Sequence, residues 1–438
     1  MKISAIKISP PGRFNLKNGL TVLFYPTKSL LSTFAVVFVR VGAAYDNDAE
    51  IGMSHFVEHL SFTGTKKYPS ALAIAQAADA VGAKFNGGTG ELRTQYHIKM
   101  PYLHFEPGIK ILSELVFYPF FAKGEIKKEK NVILSEFNDI WHNPERRFNY
   151  EVFRQRFKQK EHPYARLVVG NPEKIKQFSE SKAILLRKKY YQPANMVLSI
   201  AGDLAKNSVL KTAEKYFDYG QKGIETKEKK FDRGDYSDFG YYYQEEKRPQ
   251  IQFVISFPGF GEKELSRKER IVLSFLAYIL GRGRRSRLNL RLREKEGFVY
   301  KVGTDYTCYP YLGDFLIWGS VPVDKLLPAF SAVKEEIEKL MAKGIPGDEL
   351  LLAKNSYAAS LLMQFDNPEA IAYYFIVQEF KKEEIWLPQR NIEEDEKITA
   401  KEILTLAGKI FDYKKININL LGFVPPELQK RVQSVFAF

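Results

Sequence analysis

An internal repeat constrains this chain more than any other feature. Lys130-Asn131 and Asn143-Pro144-Glu145 recur as Lys354-Asn355 and Asn367-Pro368-Glu369, every residue shifted by 224. Gly202, at the end of a β-branched and aliphatic run, is matched by Gly422 after the run 416–421, shifted by 220. Small changes in loop length produce such a difference in offset. The order of elements agrees around these identities, so the chain reads as two copies of one α+β domain. With 438 residues it is also too long for one ordinary core.

In the first copy, residues 20–27 and 33–43 are β-branched and aromatic runs bounded by turn residues, which predicts strands. Pro69-Ser70 opens a helix that runs to Ala80 and is stopped by Gly82. Strands are expected over 83–90 and 94–100, a helix over 105–117 and a long helix over 125–141. Asn143-Pro144 breaks that helix, and further helix is expected to about residue 158. A helix over 181–190 and a strand over 196–201 complete the copy. The stretch 218–240 is polar, contains glycine and is short of apolar residues, so it reads as a linker. The expected organisation is a first domain over 1–217, the linker, and a second domain over 241–438.

The copies differ in chemistry. His55-Phe56-Val57-Glu58-His59 holds two of the chain's six histidines. On a helix, positions i and i+4 share one face, so both imidazoles reach one point, with Glu58 close by. Imidazole and carboxylate donors suit Zn²⁺. At a shift of 220 these positions fall on Phe275, Tyr278 and Ile279, and the second copy cannot build the same group. Catalytic zinc usually takes three protein ligands. His97, His104, His142 and His162 show no ligand-like spacing, and the single cysteine, Cys308, excludes a cysteine site and an internal disulfide. On the long helix, Glu129, Ile133, Glu136 and Ile140 form one stripe. Carboxylates among aliphatics call for compensation, which a metal cation supplies. At a shift of 224, Glu136 falls on Ser360.

H-x-x-E-H is the inverted order of the zinc-peptidase motif. His55-x-x-Glu58-His59, with Glu136 after 77 positions and Glu129 seven before it, resembles the pitrilysin/insulysin family of inverzincins. The nearer branch is that of mitochondrial processing peptidase and its bacterial relatives. The similarity spans nearly the whole chain, through Gly82-Ala83-Lys84-Phe85-Asn86-Gly87-Gly88-Thr89, His162-Pro163-Tyr164 with Gly170, and Tyr191-Gln192-Pro193-Ala194-Asn195-Met196. In the second half it includes Ser286-Arg287-Leu288 and Leu292-Arg293-Glu294-Lys295-Glu296-Gly297-Phe298-Val299-Tyr300. The resemblance implies two homologous α/β-sandwich domains, each a mainly antiparallel sheet with helices packed on it. It implies a zinc endopeptidase acting on peptides in extended conformation, with one Zn²⁺ per chain on His55, His59 and Glu136. Glu58 would be the general base, and Glu129 would orient a ligand from behind. Phe85, Asn86, Gly87 and Gly88 would lie on an edge strand to which the substrate adds. Arg293 would hold the substrate backbone and Tyr300 the tetrahedral intermediate, both reaching the metal from a second domain. A family half has about this length, yet this chain carries both feature sets, which implies a homodimer with composite sites. The chain departs from the family pattern at Leu92, often glutamate there, and at Gly88, where a larger residue is usual and a roomier pocket follows. Glycines at 87, 88 and 90 also suit a strand that another backbone approaches closely.

The net charge of +14 (66 basic minus 52 acidic) admits acidic or nucleic-acid partners. The basic run 282–293 lacks interleaved aromatics and a recognised nucleic-acid fold, so peptides rather than nucleic acid are the expected partners. No apolar run approaches the ~20 residues of a membrane helix, which argues against a membrane partner. Met1 to Pro11 is short and lacks an apolar stretch, so a cytoplasmic protein is expected. The rival reading is a non-catalytic structural homologue of the same fold. Such chains typically lose part of the zinc set, which is whole here.

Overall fold

The computed structural model describes residues 8–159, 162–218, 222–230, 236 and 239–436. The first half builds a six-stranded sheet from β1 (Gly12–Asn15), β2 (Thr21–Pro26), β3 (Ser32–Val39), β4 (Lys84–Thr89), β5 (Thr94–Pro101) and β6 (Met196–Gly202). Their spatial order is β1-β2-β6-β3-β5-β4. The second half contributes β7 (Gly240–Gln244), β8 (Ile251–Pro258), β9 (Lys301–Cys308), β10 (Gly313–Val321) and β11 (Asn417–Leu421), in the order β7-β11-β8-β10-β9. Without β1, the two orders are the same. Each sheet has one parallel pair at the same place, β2 with β6 and β7 with β11, and its remaining pairs are antiparallel.

The helices of the first half are α1 (Met53–Leu60), α2 (Ala71–Asp79), α3 (Phe105–Phe117), α4 (Lys123–His142), α5 (Pro144–Arg154), α6 (Pro172–Lys176), α7 (Glu180–Tyr190) and α8 (Lys206–Phe217). Those of the second are α9 (Arg267–Ala277), α10 (Leu326–Lys343), α11 (Gly347–Met363), α12 (Pro368–Phe380), α13 (Pro388–Glu396), α14 (Ala400–Ile410) and α15 (Pro426–Val435). The repeated residues do the same work in both halves. Asn143 and Asn367 are N-caps, their side chains accepting from the backbone N–H of Glu145 and Glu369, each ahead of a proline at N1. Lys130 and Lys354 donate through Nζ to the carbonyls of Lys176 and Glu396, at the C-termini of α6 and α13.

One face of each sheet carries its own half's helices over a large apolar core. The other face is covered by a helix from the opposite half. Ile371, Ala372, Phe375 and Ile376 of α12 pack on Phe34, Val36 and Phe38 of the first sheet. Phe148 and Val152 of α5 pack on Val254 and Leu421 of the second. This exchange ties the halves together through apolar burial rather than through a hinge.

One expectation needs correction. Helix α5 ends at Arg154 rather than near residue 158, because Arg156 is drawn to the buried Asp314 (2.8 Å) and Phe157 pairs with Tyr236 in an isolated bridge. Of the expected linker, residues 219–221, 231–235, 237 and 238 lie outside the described residues. The described part from Lys222 is bound along the protein: Lys222 accepts from Ala194 N–H (3.1 Å), and Thr226 N–H donates to Asn195 Oδ1 (2.9 Å).

Candidate metal centre and active site

Helix α1 is short and almost wholly sunk in the first core. Met53, Phe56, Val57 and Leu60 are fully buried, which anchors one side and aims His55 and His59 from the other. Its N-terminus begins at Gly52, whose φ of 100° suits glycine, and a Cβ there would meet Gly170 Cα at 2.6 Å. The cap comes from farther back. Buried Asp46 accepts from Gly52 N–H (2.9 Å), Ser54 N–H (3.1 Å) and Ser54 Oγ–H (2.6 Å), and Arg166 Nη1 donates to the Asp46 carbonyl (2.8 Å). Asp46 therefore fixes the helix that presents the histidines.

His55 Nε2 and His59 Nε2 lie 3.2 Å apart. Helix α4, held against the core by fully buried Ile133, brings Glu136 Oε2 to 3.8 Å from the first nitrogen and 3.7 Å from the second. About two turns earlier on the same stripe, Glu129 Oε2 is 3.1 Å from His59 Nδ1. That contact places the Nδ1 proton toward Glu129 and leaves the Nε2 lone pair facing the cluster. Glu58 Oε2 stands 3.9 Å from His55 Nε2 and accepts from Thr89 Oγ1 (3.4 Å).

Electrostatics sharpen the arrangement. Burial, with the neighbouring His59, pushes His55 down to about 3, so it is neutral and a ligand-competent imidazole. Burial opposes protonation of His59 too, but the hydrogen bond to Glu129 and the charges of Glu58 and Glu136 raise it overall. Burial also pushes Glu58 up to about 7, with Glu136 adding to the rise against the pull of His59 and Thr89. Among the described residues, the ion pairs of Glu58, Glu129 and Glu136 are with these histidines alone.

The donor set fits zinc. A tetrahedral site with bonds of about 2.0–2.1 Å separates its ligand atoms by about 3.3 Å, close to the 3.2–3.8 Å edges of this triangle. Two imidazoles and several carboxylates converge with no cationic side chain among them, and the cluster calls for a cation. His55, Glu58 and His59 place donor atoms within 4.8 Å of one another. Glu136 Oε2 is nearly equidistant from both Nε2 atoms, and Glu58 Oε2 stands 3.9 Å from that of His55.

The expected substrate-facing residues lie on β4, the edge strand beside this cluster, paired on one side only with β5. Phe85 stacks near Phe62 (centroids 6.0 Å apart), and Asn86 Oδ1 accepts from Gly87 N–H (2.9 Å). Gly87 has a role inside the chain: a Cβ there would stand 2.8 Å from Glu58 Oε1 and 2.7 Å from Phe62 Cζ. Gly88 is open, with Gln95 as its nearest neighbour at 3.8 Å. Leu92 packs in a small apolar cluster with Phe157 and Tyr164. Asp46 and Thr89, which sequence reasoning missed, had only faint signals: an Asp six residues before a glycine, and a Thr closing a glycine-rich strand.

Arg293 and Tyr300 come together on the second half. Arg293 Cζ lies 5.9 Å from the Tyr300 ring centroid, and Tyr300 is 66% exposed just before the edge strand β9. Among the described residues, the ion pair of Arg293 is with Glu294 alone. At the positions equivalent to the histidines, Phe275 and Ile279 are buried core residues. In the basic loop, Arg282 pairs with Asp305, and Arg287 with Glu349 (2.7 Å).

Residues 26–167 match the family model described as insulinase (peptidase family M16), and residues 184–357 match that of the peptidase M16 inactive domain. The second match falls on the half whose equivalent positions hold no histidine pair. An uncharacterized zinc protease of Rickettsia felis is 32% identical over 406 residues, covering 90% of this chain and 94% of that protein. The uncharacterized zinc protease YmxG of Bacillus subtilis is 26% identical over 363 residues, 81% of this chain and 84% of that protein. Among solved structures, a peptidase M16 inactive domain from Pseudomonas fluorescens aligns with TM-score 0.84 and 20% identity over 95% of this chain and 98% of that one. The periplasmic protease PqqL from Escherichia coli aligns with TM-score 0.83 and 15% identity over 99% of this chain and 50% of that one. With its two sheets, inverted histidine motif and distant glutamates, the chain belongs to the M16 family of zinc peptidases, the pitrilysin/insulysin family, and is of its bacterial type.

Proposed function

We propose that this chain is a zinc-dependent endopeptidase that hydrolyses peptides or unfolded segments bound in extended conformation. The observation that carries the reading is the convergence of His55 Nε2, His59 Nε2 and Glu136 Oε2 within 3.2–3.8 Å, with the Glu58 carboxylate beside them. His55, His59 and Glu136 would hold one Zn²⁺ per chain, and Glu129 would keep His59 in the ligating tautomer. Zinc, when bound, supplies Lewis acidity and acidifies water. Glu58 takes the water's proton on its carboxylate and delivers it to the leaving amine. Thr89 holds that carboxylate toward the cluster. The unpaired side of β4, from Phe85 through Gly88, receives the substrate as an added strand, which fixes the scissile bond by main-chain hydrogen bonds.

Arg293 and Tyr300 would complete the site, Tyr300 donating to the oxyanion and Arg293 gripping the substrate backbone. We place them on the zinc of a partner chain, in a homodimer. The exposure of Tyr300 beside an edge strand supports this, as does the match of the whole chain to half of PqqL. No described helix is long and apolar enough to cross a membrane. A cytoplasmic site of action is part of the proposal, tested by cell fractionation.

Digestion of a quenched peptide, with and without chelator, tests the reading together with metal analysis. Glu58→Gln should keep zinc and lose hydrolysis by about 10²–10⁴-fold. His59→Ala and Glu136→Ala should lose both. Near-normal turnover in Glu58→Gln would overturn the mechanism.

A further inference from the structure

The two exchanged helices do unequal work. On the first sheet, α12 meets an apolar face of Phe34, Val36 and Phe38. The corresponding face of the second sheet is largely polar, with Gln252 and Ser256 on β8, Asp314 on β10 and Thr307 on β9. Helix α5 seals it only where Phe148 and Val152 reach Val254 and Leu421. Under the rest of the helix, between its Asn149–Arg156 stripe and strands β8, β10 and β9, lies a cavity of about 370 Å³. That volume falls in the range of small-ligand pockets and far exceeds the ~30 Å³ share of one water.

Two polar groups in the cavity wall are buried without a hydrogen-bond partner among the described residues: Ser256 Oγ, on a residue 0% exposed, and Asp314 Oδ2, on a residue 2% exposed. The other oxygen of Asp314 accepts from Arg156 Nε (2.8 Å), and Asp314 N–H donates to Thr307 Oγ1 (3.2 Å). Buried polar atoms are nearly always satisfied, so these two ask for a donor. Strand register puts Leu316 opposite Ser256 and Trp318 opposite Val254, an apolar floor leading from the acidic end to the mouth. Trp318 is 40% exposed there, and its indole lies over Gly303, where a Cβ would meet Cζ2 at 2.5 Å.

A carboxylate ligand offers no proton to Asp314 Oδ2, whose other oxygen is already paired with Arg156. A hydroxyl supplies one donor, but an ammonium supplies three and carries the charge that the free carboxylate oxygen favours. We infer that this cavity binds a small primary amine, its ammonium on Asp314 Oδ2 and Ser256 Oγ and its aromatic or aliphatic body against Leu316 and Trp318. The inference rests on the seam between α5 and the second sheet and is independent of the peptidase reading.

Titration calorimetry of the full chain with 2-phenylethylamine, 2-phenylethanol and 3-phenylpropionate tests it. The amine should bind one equivalent, and both isosteres should bind about 10-fold more weakly or worse, the loss expected for one charge-assisted hydrogen bond. Asp314→Asn would strip Arg156 of its partner and endanger folding, so the informative variants are Ser256→Ala and Trp318→Ala. Each should weaken the amine about tenfold with circular dichroism unchanged. Glu58→Gln should bind it as the wild type does. Any one of four results overturns the inference: no heat up to the solubility limit, equal binding of all three probes, indifference to both variants, or loss of binding in Glu58→Gln. A crystal soaked in the amine that shows only ordered water between Ser256 and Asp314 overturns it as well.

Discussion

Gly87→Ala tests the coupling between the edge strand and the base. The added Cβ would stand 2.8 Å from Glu58 Oε1 and 2.7–2.8 Å from two ring carbons of Phe62, where comfortable contacts are about 3.5–4.0 Å. Phe62 is wedged between Phe85 (6.0 Å) and Tyr96 (5.9 Å) and has little room to yield. The Glu58 carboxylate is the end of a flexible side chain held by one long hydrogen bond, at 3.4 Å from Thr89, so it gives way by about 1 Å. A misplacement of that size costs about 10²-fold in kcat, or about 2.7 kcal/mol of transition-state stabilisation. The three atoms nearest the new methyl belong to Phe62 and Glu58 and to none of the proposed ligands, and zinc content should stay at the wild-type level. Gly88→Ala is the control: its Cβ would meet Gln95 only at 3.8 Å, so kcat should stay close to wild type and any change should fall on KM. The measurement is kcat and KM on a quenched peptide, with metal analysis of each variant. Full activity in Gly87→Ala, or equal damage from Gly88→Ala, would refute the reasoning.

Glu129→Gln should weaken zinc retention about 10–100-fold without abolishing it, and wild-type behaviour in a chelator competition would remove Glu129 from the site. Burial pushes the Asp46 carboxyl up to about 7 from an ordinary 3.8, against the pull of its donors Ser54 and Gly52. The folded state then holds more protons than the unfolded chain between about pH 4 and 7, and the stability from this group falls as pH rises through that window. In urea melts of the metal-free proteins, the advantage of wild type over Asp46→Asn should shrink from pH 4 to 7, and an advantage that grows with pH contradicts this. Glu58→Gln and Tyr300→Phe chains refolded together should regain roughly a quarter of wild-type activity, because about half the dimers are mixed and each has one intact composite site. A verified mixed dimer without recovery refutes the trans arrangement.

What the sequence made legible follows from how local each signal is. The helix that carries the histidines, the α3 boundaries and the Asn-Pro caps are written in spacings of three to seven residues, and periodicity alone finds them. The stripe of Glu129 and Glu136 reads by itself as a solvated helix face, and only a histidine pair short of a third ligand gives it weight. The cap of α1 was not, because Asp46 reaches Gly52 and Ser54 across a loop instead of sitting at the N-cap position. Gly87 was read as an accommodation for an incoming backbone, and its contact with Glu58 depends on how β4 lies against α1. The end of α5 was set by Asp314, which lies 158 residues away in sequence.

The repeat also explains how one chain can carry two unlike half-sites. Strands β4 and β9 are equivalent edges of homologous sheets, the last in each spatial order. The metal cluster stands beside the first edge, and Tyr300 immediately precedes the second. In the second half the histidine positions became core, Phe275 and Ile279 being 0% and 4% exposed, so that half gave up metal chemistry without loosening its packing. The crossed helices α5 and α12 pack apolar side chains of each half on the sheet of the other, so moving the halves of one chain relative to each other would expose apolar surface on both sheets. The proposed pairing asks only that a second copy bring its own Tyr300 edge to the first chain's histidines, which leaves both crossed helices in place.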